Sequence, residues 1–282
     1  PPLYPLLYEP LVRRALREDL GRAGDLTTDA IVPSGAQAEG RLVARRAGRV
    51  AGLDVAAAAF RLLDPRVEVV PRLADGADAA AGETLAIVRG PARPILSAER
   101  TALNFLGRLC GIATATREVV AAVRPYPARV VCTRKTTPGL RALEKYAVRA
   151  GGGANHRFGL DDGVLIKDNH RVAAGGLRPA VERVRAAVGH MVKVQVEVDG
   201  LEELREALAL GVDALLLDNF PLPALREAVA LVAGRATVEA SGGIRPDNAA
   251  AVAATGVDLL SIGWLTHSAP ALDVALDLDR QW

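Results

Sequence analysis

From Arg129 onward, short apolar runs alternate with helix-length amphipathic runs, and this rhythm constrains the fold more than any other feature. The apolar runs Arg129–Thr133, Gly163–Lys167, Val192–Val198, Ala214–Asp218, Ala236–Ala240 and Leu259–Gly263 read as strands. Helices are expected between them at about Pro138–Arg149, Arg178–Val188, Leu201–Leu210, Pro223–Val232 and Pro246–Ala254. None of the strands alternates strictly, as expected when both faces are covered. Repeated strand–helix units of this length imply a parallel sheet with right-handed crossovers. The choice lies between an open doubly wound sheet and a barrel. No Gly-x-Gly-x-x-Gly follows the first strand, so the dinucleotide fingerprint is absent. Polar residues sit at the C-terminal ends of nearly every strand, where a barrel builds its site. A barrel is expected.

The first hundred residues read differently. An amphipathic helix at Leu6–Leu20 ends at Gly21 and is followed by the turn-rich Gly24-Asp25-Leu26-Thr27-Thr28-Asp29. Strands are predicted at Glu39–Arg45, Val67–Leu73 and Thr84–Arg89, with a helix at Leu53–Leu63. Two helices follow, from near Ile95 to about Leu109 and at Thr114–Val123. This order suggests a compact α+β domain.

Half of the 282 residues are hydrophobic and 24% are charged, the balance of a folded protein rather than a disordered one. A net charge of +2 gives no reason to expect nucleic acid or an anionic membrane as partner. No apolar run approaches the roughly 18 residues of a membrane span. Pro1 to Asp19 lacks a secretory layout, so a cytoplasmic protein is expected. Cys110 and Cys132 form neither a metal-spaced set nor a disulfide framework.

The strand ends carry the chemistry. In order they present Thr133-Arg134-Lys135, Lys167-Asp168-Asn169, Glu197, Asp218-Asn219, Glu239-Ala240-Ser241-Gly242-Gly243 and Gly263-Trp264. A loop adds Gly151-Gly152-Gly153 and Asn155-His156-Arg157. Parallel strands closing on themselves bring these tips to one mouth. Arg129 to Arg171 holds nine Lys/Arg and four Asp/Glu, a net +5 in a chain whose total is +2. Arg134, Lys135, Arg157 and Lys167 cannot share an apolar site without anions to pair with. Either they bind a polyanion or some of them point outward into solvent. Glu197 and Asp218 facing such a site suit Mg²⁺ that bridges phosphates, or sugar hydroxyls; pairing with Lys167 or Arg157 is the alternative. Ser241-Gly242-Gly243, between a late strand and a helix, lets backbone N–H groups approach a phosphate. His156 suits acid–base work or hydrogen bonding to an anion, whereas His170, His190 and His267 have no partners at metal spacing.

The run Cys132-Thr-Arg-Lys-Thr-Thr-Pro-Gly-Leu-Arg-Ala-Leu-Glu-Lys-Tyr-Ala-Val148, with Gly151–Gly153 and His156-Arg157, closely resembles the quinolinate phosphoribosyltransferase family. So do Lys167-Asp-Asn-His170, Glu197-Val-Asp199, Leu217-Asp-Asn-Phe220, Glu239-Ala-Ser-Gly-Gly-Ile244, Gly24–Asp29 and Glu99–Asn104. The resemblance implies transfer of a phosphoribosyl group from phosphoribosyl pyrophosphate to quinolinate, with loss of CO₂, in NAD biosynthesis. It implies an N-terminal α/β sandwich over residues 1–105, with 266–282 a candidate addition, and an incomplete, roughly seven-stranded α/β barrel over 106–265. It further implies that Thr133, Arg134, His156, Arg157 and Lys167 bind substrate, quinolinate above all. Lys135, Glu197 and Asp218 would act on the donor and its Mg²⁺, and Ser241, Gly242, Gly243 and Gly263 would seat the 5′-phosphate. Arg100 would come from a partner subunit, which makes the expected assembly a homodimer or a larger multiple.

Overall fold

The computed structural model describes residues 2–279 of the chain, which divide into two compact units. Five strands come first: β1 (Gln37–Ala44), β2 (Gly48–Arg49), β3 (Glu68–Pro71), β4 (Asp78–Ala79) and β5 (Thr84–Pro91). Six follow in the second half: β6 (Arg129–Val131), β7 (Val164–Ile166), β8 (Val194–Val198), β9 (Ala214–Asp218), β10 (Thr237–Ser241) and β11 (Leu259–Ser261). The last is β12 (Val274–Leu278).

The described residues of the first unit fall in Pro1–Arg117, Thr136–Gly152 and Thr266–Trp282. Its antiparallel sheet runs β12-β1-β5-β3, and β2 pairs separately with β4. Alternation in β1 turns Ala38, Gly40 and Leu42 inward, so the sheet has one apolar face. The helix Leu53–Leu63 buries Leu53 and the run Val55 to Phe60. Asp75, reaching from a distant loop, accepts hydrogen bonds from the Gly52 and Leu53 N–H groups at 2.7 and 3.2 Å and caps that helix.

Two differences from the sequence expectation have physical causes. The predicted helices Ile95–Leu109 and Thr114–Val123 are one 32-residue helix, Ala92–Val123. Gly107 and Gly111 lower helix propensity and suggest a break. Here they make a notch for the C-terminal segment, because a Cβ on Gly111 would lie 2.0 Å from the Pro270 carbonyl oxygen. The second difference is β12, which carries no strong strand pattern. It takes its conformation from pairing with β1, from Gly40↔Leu278 to Ala44↔Val274.

The second unit comprises Glu118–Lys135 and Gly153–Leu265. Its six-stranded parallel sheet has the order β6-β11-β10-β9-β8-β7, with helices between successive strands. On the far side of β6, Val131 forms a parallel bridge with Ala154, the rudiment of a seventh strand. From β7 to β11 the strands pair in chain order, and the first strand, β6, pairs with the last, β11; this cyclic order is that of a barrel wall, and a doubly wound sheet would reverse direction partway. In-register neighbours point to the same side. The pairing Glu197↔Leu216↔Glu239↔Leu259 therefore sets one row of a single face. Asp218↔Ser241↔Ser261 sets the next row.

Candidate active site

That face carries Glu197, Asp218, Glu239 and Ser241. Period-two spacing along β8 puts Gln195 and Glu197 on it, flanked by Val194, Val196 and Val198, which are buried on the other side. Lys167 follows β7 on the same parity and meets Glu197 at 2.9 Å. Its side chain remains 47% exposed, so this pair contributes little to stability and leaves the ammonium accessible to a ligand.

Thr133, Arg134 and Lys135 leave the tip of β6; the Thr133 hydroxyl accepts the Lys135 N–H at 3.0 Å and tightens the turn. Arg157 is tied down by a bond from its Nη1 to the Gly163 carbonyl at 2.8 Å. Burial lowers its pKa, and the charge of Arg134 lowers it further. The second cause places two guanidinium groups within electrostatic reach of each other. Holding like charges together in a partly dry site is unfavourable, and the charge of Asp162 offsets only part of the shift.

His156 lies beneath this cationic pair in a buried network. Its Nδ1 accepts the Arg157 backbone N–H at 2.8 Å, and its Nε2 lies 3.0 Å from Gln195 Oε1 and 3.3 Å from Glu239 Oε2. Gln195 Nε2 donates to Glu239 at 2.8 Å. Glu239 is 1% exposed. Burial raises its pKa, but hydrogen bonds from His156, Ser261 and Gln195 and the electrostatic influence of His156 outweigh that, and the net direction is down.

At the other side of the face, Asp218 and the glycine loop after β10 are joined by Asn219. Its backbone N–H donates to the Ser241 carbonyl at 2.9 Å, and its amide Nδ2 donates to Asp218 Oδ2, also at 2.9 Å. Asn219 holds a left-handed φ of 55°, which Asn tolerates better than other non-glycine residues. Gly242 has φ +96°, and a Cβ there would lie 2.0 Å from Asn219 Oδ1. The loop is pinned further on: Arg245 N–H donates to Asn248 Oδ1, Asn248 Nδ2 donates to the Gly243 carbonyl, and Trp264 Nε1 donates to the Ile244 carbonyl. Gly263 immediately precedes Trp264, at the end of the neighbouring strand.

The second unit thus brings together Thr133, Arg134, Lys135, His156, Arg157, Lys167, Glu197, Asp218, Ser241, Gly242, Gly243 and Gly263 at the C-terminal ends of its strands. Arg100 belongs to the first unit, exposed on the helix Ala92–Val123. Sequence reasoning passed over Gln195 and Asn248, and named Asn219 and Glu239 at strand ends without giving them a role. A Val-Gln-Val-Glu-Val run is a usable signal, since two polar residues two apart in an apolar strand share a face. Asn219 offers no comparable signal, because its significance rests on a left-handed φ.

Among the described residues no group of three or more His, Cys, Asp or Glu could hold a metal by itself. Mg²⁺ is commonly bound through one or two carboxylates plus substrate phosphates and water. Glu197 and Asp218 supply two carboxylates. Among the described residues no helix is long and apolar enough to cross a membrane.

Comparison with known proteins agrees with this architecture. The family model "Quinolinate phosphoribosyl transferase, N-terminal domain" matches residues 25–110, and the corresponding C-terminal domain model matches 112–277. The chain is 45% identical over 269 residues to a probable nicotinate-nucleotide pyrophosphorylase [carboxylating] of Bacillus subtilis (strain 168), spanning 95% of this chain and 92% of that protein. It is 47% identical over 275 residues to the nicotinate-nucleotide pyrophosphorylase [carboxylating] of Mycobacterium leprae (strain TN), spanning 95% of each. Among solved structures, NadC from Streptococcus pyogenes superposes with a TM-score of 0.95 at 40% identity over 99% of both chains. With both of its halves matched and relatives this similar over nearly its full length, the chain belongs to the quinolinate phosphoribosyltransferase family.

Proposed function

We propose that this chain transfers the phosphoribosyl group of phosphoribosyl pyrophosphate to the ring nitrogen of quinolinate, giving nicotinate mononucleotide, pyrophosphate and CO₂ in NAD biosynthesis. The observation that carries the reading is Arg157 held within the field of Arg134, its pKa lowered by burial and by that like charge. An aromatic acid with two adjacent carboxylates matches such a pair of cations in number and charge. Lys167 adds a third cation, and guanidinium forks suit carboxylate oxygens.

The donor fits the other side of the face. Ser241, Gly242 and Gly243 offer backbone N–H groups to the 5′-phosphate, with the Gly263 turn beside them. Lys135 neutralises charge on the departing pyrophosphate, while Glu197 and Asp218 stabilise the cationic character that develops on the ribose. Mg²⁺ bound to the pyrophosphate would be held by the same two acids and would supply further charge neutralisation. Once the ring nitrogen is ribosylated its positive charge stabilises the electron pair left on the adjacent ring carbon by the departing CO₂, and a proton from solvent then completes the product, so decarboxylation demands no separate base.

Arg134→Ala removes a charge-assisted contact, worth about 1.5–3 kcal/mol. It should raise KM for quinolinate roughly 10- to 100-fold and leave that for the donor within about twofold. Equal loss for both substrates contradicts the assignment, and release of nicotinate mononucleotide from nicotinate in preference to quinolinate overturns the substrate. Arg100, solvent-exposed in the single chain, is assigned to the site of a second copy in a homodimer. Assayed at quinolinate far below the raised KM, where each variant alone is nearly silent, mixed Arg100→Ala and Arg134→Ala chains should then recover activity through dimers with one intact site. No recovery after confirmed subunit exchange removes Arg100 from the site.

A further inference from the structure

β9 ends at Asp218, and consecutive residues of an extended strand point to opposite faces. Asn219 breaks that alternation. Its left-handed φ of 55° folds the side chain back beside that of Asp218, while its backbone N–H still continues the ladder to the Ser241 carbonyl. An ionised carboxylate can only accept, so the amide turns its NH₂ toward Asp218 and donates to Oδ2 at 2.9 Å. The amide oxygen then packs against Gly242, in the space where a Cβ would lie only 2.0 Å from it, and this contact keeps the amide from turning. The other acid of the face is held differently. Glu197 is bound by the Lys167 ammonium at 2.9 Å, which offsets its charge. Asp218 takes its oriented bond from a neutral amide, which fixes the carboxylate and cancels none of its charge.

We propose that Asn219 is a positioning residue whose amide commits Oδ2 of Asp218 to the protein, so that the acid meets the phosphoribosyl donor through Oδ1. The inference rests on the proposed role of Asp218 on the donor's side of the site. Left-handed backbone at a non-glycine residue carries a conformational cost, and such residues gather at functional sites. Here the turn accomplishes what an extended residue cannot, because it puts two consecutive side chains on one side of the strand. Gly242 fixes the amide, the amide fixes the carboxylate, and the carboxylate is presented before the donor arrives.

Asn219→Gly is the cleanest test, because glycine adopts this φ freely, keeps the backbone N–H and loses only the amide. Equilibrium titration of the whole enzyme with phosphoribosyl pyrophosphate and Mg²⁺ should show donor affinity about fivefold to tenfold weaker, the effect of about one hydrogen bond, with the KM for quinolinate within about twofold of wild type. A merely structural role would move both substrates or neither. Asn219→Asp keeps the shape and the oxygen against Gly242 but sets a second carboxylate against Asp218, so it should bind the donor less well than Asn219→Gly. Wild-type affinity or better in either variant overturns the proposal. Because the amide acts through Asp218, adding Asn219→Gly to Asp218→Ala should cost the donor less than about a further twofold. A further loss as large as in the single variant would mean that Asn219 touches the donor itself, and would overturn the positioning role. Asp218→Asn separates the two levels. If it leaves donor affinity intact, the underlying assignment of Asp218 fails; if it weakens the donor while Asn219→Gly does not, only the positioning role fails. A crystal structure of the unaltered enzyme with a donor analogue needs no variant to fold. Asn219 Nδ2 should remain on Oδ2 with Oδ1 facing the analogue; both carboxylate oxygens on the analogue, with the amide turned away, overturn the proposal.

Discussion

Glu144→Ala is expected to lower the unfolding free energy by about 3–5 kcal/mol, as removing one partner of a buried ion pair generally does. Glu144 is 0% exposed and receives four hydrogen bonds. Arg108 donates through Nε and Nη2 at 3.2 and 2.8 Å, and Thr137 donates through its hydroxyl and backbone N–H at 2.8 and 3.0 Å. Truncation strands the Arg108 cation and leaves the Thr137 donors without this acceptor. Arg108 keeps its bonds to the carbonyls of Ala269 and Thr266, which softens the loss. Glu144→Gln preserves the shape and removes the charge, so it should fall between the wild type and Ala. Denaturant unfolding followed by a tertiary signal checks both variants. A loss below about 1 kcal/mol for Ala would mean that the pair is far better solvated than its burial implies.

Gly242→Ala is expected to disable donor binding more than any other one-carbon change in the site. Two penalties combine. Alanine at φ +96° is strained, by roughly 1–2 kcal/mol for left-handed backbone. Its Cβ would also meet Asn219 Oδ1 at 2.0 Å, and forcing such a group aside adds about 1–3 kcal/mol. Asn219 cannot yield freely, because its amide holds Asp218 and its backbone holds Ser241. A rise in the donor's KM of about 30-fold or more is expected as the loop shifts to relieve the combined penalty, and the strain that stays in the folded chain lowers the thermal midpoint as well. An unchanged KM would show that the loop moves as a body and does not seat the phosphate.

The second half of the fold was legible because parallel strands covered on both faces are written as apolar runs of the right length. All six strands lie where those runs predict, and β9 matches its limits, Ala214–Asp218. The long helix was harder, since Gly107 and Gly111 signal a break to local propensity and only tertiary packing reveals a notch. β12 was illegible as a strand for a related reason, its pairing partner β1 lying more than two hundred residues away. Within the site, residue types and strand-end position exposed the charged residues that gather at the C-terminal ends of the strands. They did not expose the groups that aim those charges: the Thr-Arg-Lys-Thr-Thr-Pro-Gly signature reads as one motif, yet its Thr137 is bound to Glu144. Gln195 and Asn219 likewise matter through their partners, which local sequence does not name.

The shared parity of β8, β9 and β10 bears on how such an enzyme can diverge. Gln195, Glu197, Asp218, Glu239 and Ser241 face one way because the strands keep their register. Inserting a single residue before Gln195 would turn both of its strand's polar groups toward the covering helices and bring valines to the mouth. Loops and side chains can therefore drift while the strands cannot lengthen one residue at a time. On the proposed assignment of the site, new pyridine acids would be reached through substitution around Arg134 and Arg157, and the phosphoribosyl side would be inherited nearly intact.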